Sequence, residues 1–214
     1  MTILPLVSSP VLAAAGFRHA FPTRYASDAE LLAALGAGRI LQVKQVHGAR
    51  AVLASEAAGQ EADALVGRAS ELVEVAVGVR VADCVPVLVG NASTGDVAAI
   101  HAGWRGLVGG VVEAGLELLG KGDRIAAIGP CIGACCFEVG REVGERTGFV
   151  VREARDKQYV DLRAAVRARL VALGVGIVDD VPGCTKHEPE RFHSFRRDGA
   201  NSGRMLAAIA TRGR

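Results

Sequence analysis

Two histidines and one cysteine, His47, Cys84 and His101, have side chains suited to metal ligation or to nucleophilic catalysis. Each stands at the expected end of a strand, beside a glycine or a break in the apolar pattern. Cys84 precedes a short apolar run, Val85 to Val89. A polar turn over Asn91 to Asp96 follows, then a second apolar run from Val97 that delivers His101. Runs of that length around turn residues predict a hairpin with the thiol and the imidazole side by side. Two imidazoles and a thiolate suit zinc and leave one tetrahedral position free, as in catalytic zinc sites. The same thiol could instead be a metal-free nucleophile with His101 as its base, and His47 would then have no essential part. The spacing matches no short zinc-ligand motif. Hydrogen-bonded histidines around a core cysteine fit the residues equally well.

The other reactive groups are less ordered. Cys131, Cys135 and Cys136 form a CxxxCC pattern; one of them could close the first set into a structural zinc, although their apolar flanks suggest packed thiols. Five cysteines, two of them adjacent, do not read as a disulfide framework and predict a reducing, cytoplasmic setting. Gly129, Pro130 and Gly133 make a tight loop without the length of a phosphate-binding loop. Arg196-Arg197 is either an anion grip or a solvated basic pair.

The elements that must position these groups are short and mixed. Ser27 and Glu30 form a capping box before a helix from Asp28 to Leu35, with Gly36 as its stop. Ile40 to Val46 predicts a strand delivering His47, and Ala51 to Ala54 a partner folding back on it. Val73, Val75, Val77, Val79 and Val81 share one face of a strand that runs into Asp83-Cys84. A helical stripe follows at Val108, Val111, Val112, Leu116 and Leu119, ended by Gly120. Ile125 to Ile128 and Val175 to Val178 read as strands, Asp161 to Leu173 as an amphipathic helix, and Phe192 to Ile209 as a tail with strand signals. Without a regular βαβ rhythm this predicts an α+β fold, one domain over residues 1–214. A net charge of +2 with scattered Lys and Arg gives no nucleic-acid footprint, and no apolar stretch is long enough for a membrane span. The N-terminus lacks a basic start and is interrupted by Pro5 and Pro10, unlike a secretion signal.

An ordered set of motifs adds a resemblance. Gln45-Val46-His47-Gly48, Ala82-Asp83-Cys84-Val85-Pro86-Val87-Leu88, His101-Ala102-Gly103-Trp104-Arg105-Gly106 and Ile128-Gly129-Pro130-Cys131-Ile132 come first. Cys136-Phe137-Glu138-Val139, Cys184-Thr185, Ser194-Phe195-Arg196-Arg197-Asp198-Gly199 and Gly203-Arg204-Met205 follow. Over about residues 17 to 210 the chain resembles the YfiH-like family, also called laccase-domain or polyphenol oxidase proteins. One departure is the Tyr25-Ala26-Ser27 that stands after Arg24 where the family usually carries a Gly-Gly turn.

The resemblance implies mixed β-sheets packed together with helices outside, a fold shared with toxin deamidases that use a Cys-His pair. It also implies a zinc site of His47, Cys84 and His101, phosphorolysis of adenosine, inosine, guanosine or methylthioadenosine, and deamination of adenosine. The expected partners are a purine nucleoside and phosphate, in a monomer or homodimer. Phosphorolysis requires an anion beside the ribose, for which Arg24 and Arg105, close to the motifs, are the candidates. Asp83, beside Cys84, would orient a ligand or move a proton, or simply cap the strand end. A copper-dependent polyphenol oxidase is the weaker reading. A four-copper centre needs about ten histidines, and the chain has five. A blue-copper site wants an axial Met, and the choices are Met1 and Met205.

Overall fold

Strict alternation of valines makes the strand Val75–Val81 double-faced, and its two faces bury against different layers. The structure, a computed structural model, describes residues 3–72 and 74–212; Val73, expected to open that strand, lies outside them. In chain order the elements are β1 (Leu6–Val7), α1 (Pro10–Ala14), β2 (His19–Pro22), α2 (Asp28–Leu35), β3 (Arg39–Leu41), β4 (Ala51–Leu53) and β5 (Ala64–Gly67). Next come β6 (Val75–Val81), β7 (Val85–Asn91), β8 (Val97–Ala102), α3 (Trp104–Gly109), α4 (Val111–Leu119) and β9 (Arg124–Ile128). The chain continues with β10 (Glu138–Gly140), α5 (Arg141–Thr147), β11 (Val150–Ala154), β12 (Lys157–Val160) and α6 (Leu162–Ala172). It ends with β13 (Ile177–Asp180), α7 (Phe195–Asp198) and β14 (Met205–Ala210).

The strands form a five-stranded sheet, β1-β2-β14-β6-β3, a six-stranded sheet, β13-β9-β7-β8-β5-β4, and a small sheet, β10-β12-β11. Val75, Val77 and Val79 of β6 meet Leu88 of β7 and Val97 and Ala99 of β8 between the two large sheets. The opposite face of the six-stranded sheet, with Val85, Val87, Val89 and Ile100, packs on Val111, Val112 and Leu116 of α4 and Val166 and Leu170 of α6. Ala76, Leu206 and Ala208 on the outer face of the five-stranded sheet pack on Leu31 and Leu35 of α2. The order helix, sheet, sheet, helix is the expected α+β architecture. No helix among the described residues is long and apolar enough to cross a membrane.

Several boundaries fall where the sequence puts them. Ser27 and Glu30 complete the capping box of α2, and Gly36 ends it in the left-handed region. The side chain of Asp161 caps α6 through the Ala164 N–H. β7 and β8 pair antiparallel with Pro86 opposite His101.

Four expectations are corrected. The strand expected to Val46 stops at Leu41, because the Gln45 side chain takes over the pairing: it accepts from the Arg80 N–H at 2.7 Å and donates to the Arg80 carbonyl at 2.8 Å. Ala51–Leu53 pairs parallel with β5 rather than folding back on that strand. The helix after Trp104 is two helices, since Gly110 at φ 95° turns the chain between α3 and α4. The strand expected at Val175 begins at Ile177, parallel to β9.

Candidate metal centre

The chain crosses between the two large sheets twice near one point, and each crossing carries one of the expected donors. Cys84 lies on the short link from β6 to β7, and His47 on the loop from β3 to β4; His101 is within β8. The donor atoms of His47, Cys84 and His101 all lie within 4.8 Å of one another. The two imidazole rings meet edge to face, 4.8 Å between centroids. His101 is buried, Cys84 half-buried and His47 exposed, so the cluster opens to solvent on one side.

Backbone strain concentrates here. His47 at φ 59° and Asp83 at φ 89° are non-glycine residues with positive φ, a conformation that persists only where surrounding contacts enforce it. For His47 the enforcement comes from Asp63, a fully buried residue just before β5. Its carboxylate accepts the backbone N–H groups of Val46 (3.2 Å), His47 (3.0 Å) and Gly48 (2.7 Å). It also pairs with His101 Nδ1 at 2.7 Å. One buried carboxylate therefore holds the His47 loop and leaves Nε2 of His101 as that ring's free donor. Burial alone would raise its pKa; the His101 and backbone hydrogen bonds outweigh this and keep it lowered.

For Asp83 the anchors lie in the C-terminal loop. Its carboxylate accepts from Thr185 Oγ1 and from the Arg196 N–H, both at 2.6 Å. Both oxygens are thus engaged in fixing the Cys84 link. Gly103 completes the surroundings. A Cβ there would stand 3.1 Å from Cys84 Sγ and 3.3 Å from His47 Cδ2, inside the space the three donors share. Glycine leaves that space free, and the donor set of two imidazoles and one thiolate fits a borderline-soft cation such as zinc.

The electrostatics also permit a second chemistry. Burial works against ionising Cys84, but hydrogen bonds from His101 and His47 bring its thiol down to about 7. Burial likewise disfavours charge on His101, and Asp63 and Cys84 together push it up to about 9. Without a cation, the pair is poised as thiolate and imidazolium.

The remaining expected residues are apart from this cluster or beside it. The Arg24 guanidinium donates to the Pro189 carbonyl at 2.7 Å and, with Arg80 and Arg204, lines a cavity of ≈ 60 Å³. Arg105 is exposed, with its guanidinium 4.6 Å above the Trp104 ring. Met205 is buried with Val81 and Phe192, against which Cys84 packs, and its sulfur accepts the His193 N–H. Cys131, Cys135 and Cys136 supply no fourth donor to this set: Cys131 is a core residue facing Arg163, and the other two gather elsewhere with Cys184. Sequence reasoning missed Asp63 altogether; its only signal was an acid opening an otherwise apolar strand.

Residues 25–212 match the family described as multi-copper polyphenol oxidoreductase laccase. An adenosine deaminase, RL5, from an unknown prokaryotic organism is 44% identical over 72% of this chain, which spans 64% of that relative. A purine nucleoside phosphorylase from Deinococcus radiodurans is 37% identical, covering 96% of this chain and 92% of its own. Among solved structures, the Neisseria meningitidis protein NMB0706 superposes with a TM-score of 0.86 at 30% identity, covering 98% of this chain and all of its own.

Proposed function

Because the chain belongs to the multi-copper polyphenol oxidoreductase laccase family, we propose that it is a zinc-dependent purine nucleoside phosphorylase with a slower adenosine deaminase activity. The observation that carries the reading is the convergence of His47, Cys84 and His101 on one open-sided point, braced by Asp63. The names of its relatives point to the substrate class, adenosine for the one and purine nucleosides cleaved with phosphate for the other. The family resemblance adds inosine and methylthioadenosine to the nucleosides to be tested.

Zinc bound by these three residues would supply Lewis-acid chemistry at a fourth position. The chain's own residues do the rest. Asp63 fixes the His101 tautomer and the His47 loop, as carboxylate partners of ligating histidines do. Asp83 positions the Cys84 link. Arg24, in a cavity with two further arginines, is the better candidate for the phosphate. Arg105 is close in sequence to Gly103 and would face the nucleoside side. Five histidines remain too few for a four-copper centre, and among the described residues the donor cluster contains only two of them, His47 and His101.

The low thiol pKa favours one rival, a metal-free hydrolase with Cys84 as nucleophile and His101 as base. Two measurements separate them. Base release from inosine should require phosphate and fall on chelation. Cys84 should resist alkylation until a chelator is added, or until His47 is changed to Asn, a residue that tolerates the left-handed backbone. Fast labelling regardless of chelator and of His47→Asn would overturn the zinc reading in favour of the hydrolase.

A further inference from the structure

A second gathering of thiols lies on the far side of Asp83. Cys135 and Cys136 stand on the loop after β9, and Cys184 on the loop after β13. Those strands are parallel neighbours, and a backbone β-bridge between residues Cys131 and Cys184, both free thiols, extends their pairing. Cys135, Cys136 and Cys184 place their sulfurs within 4.8 Å of one another and share no residue with the first set. Cys135 Sγ is 3.4 Å from Cys136 Sγ, 3.8 Å from Cys184 Sγ and 3.7 Å from His187 Nδ1. With zinc–sulfur bonds of about 2.3 Å, the edge of a tetrahedral site is about 3.8 Å, so the sulfurs already stand near ligand spacing.

Two features set this apart from chance packing of thiols. The Gly133 N–H donates to Cys184 Sγ at 3.2 Å, a contact that favours a thiolate. Gly133 also leaves the space between the sulfurs free: a Cβ there would stand 3.3 Å from both Cys135 Sγ and Cys184 Sγ. Cys131 has the opposite environment, fully buried in the apolar core.

We propose that Cys135, Cys136 and Cys184, with the exposed His187 as fourth donor, form a second, closed zinc site of the Cys₃His type. Its four protein donors leave no position for substrate, so its role is structural. It ties the loop after β9 to the loop after β13. Thr185, next to Cys184, carries that restraint to Asp83 and so to the link bearing Cys84.

The test is zinc stoichiometry of the full-length protein, loaded with Zn(II) under reducing conditions and dialysed. The expected result is two equivalents for the wild type. One equivalent is expected for Cys135→Ser and for the double Cys135→Ser/Cys184→Ser variant, with nucleoside cleavage retained in Cys135→Ser. Cys135 is exposed, so that single change keeps the test valid if the double variant fails to fold. In the cobalt-substituted protein, the thiolate charge-transfer band should fall to its one-thiolate level in the double variant. His47→Asn should remove the other equivalent and keep most of the band. A single equivalent in the wild type that is lost in His47→Asn and kept in Cys135→Ser overturns the proposal, as does a second equivalent that survives in Cys135→Ser. A single equivalent with the opposite pattern supports it and counts against the first site instead. Recovery of a Cys135–Cys184 disulfide from zinc-loaded protein also overturns the proposal.

Discussion

Asp63 is the residue on which the site depends most. It supplies four acceptor contacts from full burial, three to backbone N–H groups and one to His101. Asn at this position has one acceptor oxygen, and its amide would point a donor at N–H groups that already donate. Asp63→Asn should therefore weaken zinc binding by about 10- to 100-fold, the usual loss when the carboxylate behind a ligating histidine is removed. Stability of the zinc-free protein should also fall by about 1–3 kcal/mol for the buried hydrogen bonds broken. Zinc titration and urea unfolding under chelator measure the two effects. Unchanged zinc affinity would show that Asp63 is only a structural brace. Nothing in its sequence marks Asp63 out, because an isolated acid before an apolar strand occurs wherever a strand begins. The hairpin that sets Cys84 beside His101 was legible in the sequence, and the structure pairs Pro86 with His101 as that reading requires. The approach of His47 depends on a second crossing between sheets, held by Asp63, which no local pattern encodes.

At the scale of elements, β2 depends on a histidine of a different kind. His19 is buried; its Nε2 accepts the Ser9 N–H at 2.7 Å and its Nδ1 donates to the Phe17 carbonyl at 2.9 Å. Ser9 also caps α1 and bonds Asp179 of β13, so this imidazole helps tie the N-terminal segment to both large sheets. Burial lowers its pKa, against weaker opposition from the Phe17 hydrogen bond and Asp179. The unfolded chain then binds the proton more tightly than the folded one. The contribution is complete above the unfolded value of about 6.5 and is lost as pH falls through the depressed folded value. Between pH 7 and 5 the wild type should lose stability with a His19 component of up to about 1.4 kcal/mol per pH unit, which His19→Gln removes. Urea midpoints at both pH values, under chelator, give the slopes; equal slopes would discard the idea. Elements with strong local signals, such as the capped helix α2 and the β7–β8 hairpin, were legible in the sequence. Those decided by distant partners were not: a side chain from Gln45 ends β3, and the β10-β12-β11 sheet has an exposed strand, β11, with no apolar alternation to betray it.

For the molecule as a whole, the position of the first site matters more than its composition. β3 and β6 belong to the five-stranded sheet, β4, β7 and β8 to the six-stranded one. His47 and Cys84 sit on the two links that leave the first sheet, and His101 is in the second. A cation held by all three would fasten both crossings to β8, and so add a coordinate link between sheets that meet mainly through apolar packing. Unfolding must break this fastening, because separating the sheets separates the donors. Zinc should then stabilise the fold by mass action, about 2.7 kcal/mol at a free concentration one hundred times the dissociation constant. For a chain of this size, that is a melting temperature higher by about 5–11 °C. Chelation should reverse the shift. A chelator strips every zinc ion, so the share of this site comes from variants: His47→Asn should lose the share just given, while Cys135→Ser should retain it. His47 is exposed and Asn keeps its backbone conformation, so the variant's own zinc-free stability should match that of the wild type. Melting curves of the three proteins, with zinc and with chelator, decide the matter. A full shift in His47→Asn would mean that the crossings are held by packing and by Asp63 alone.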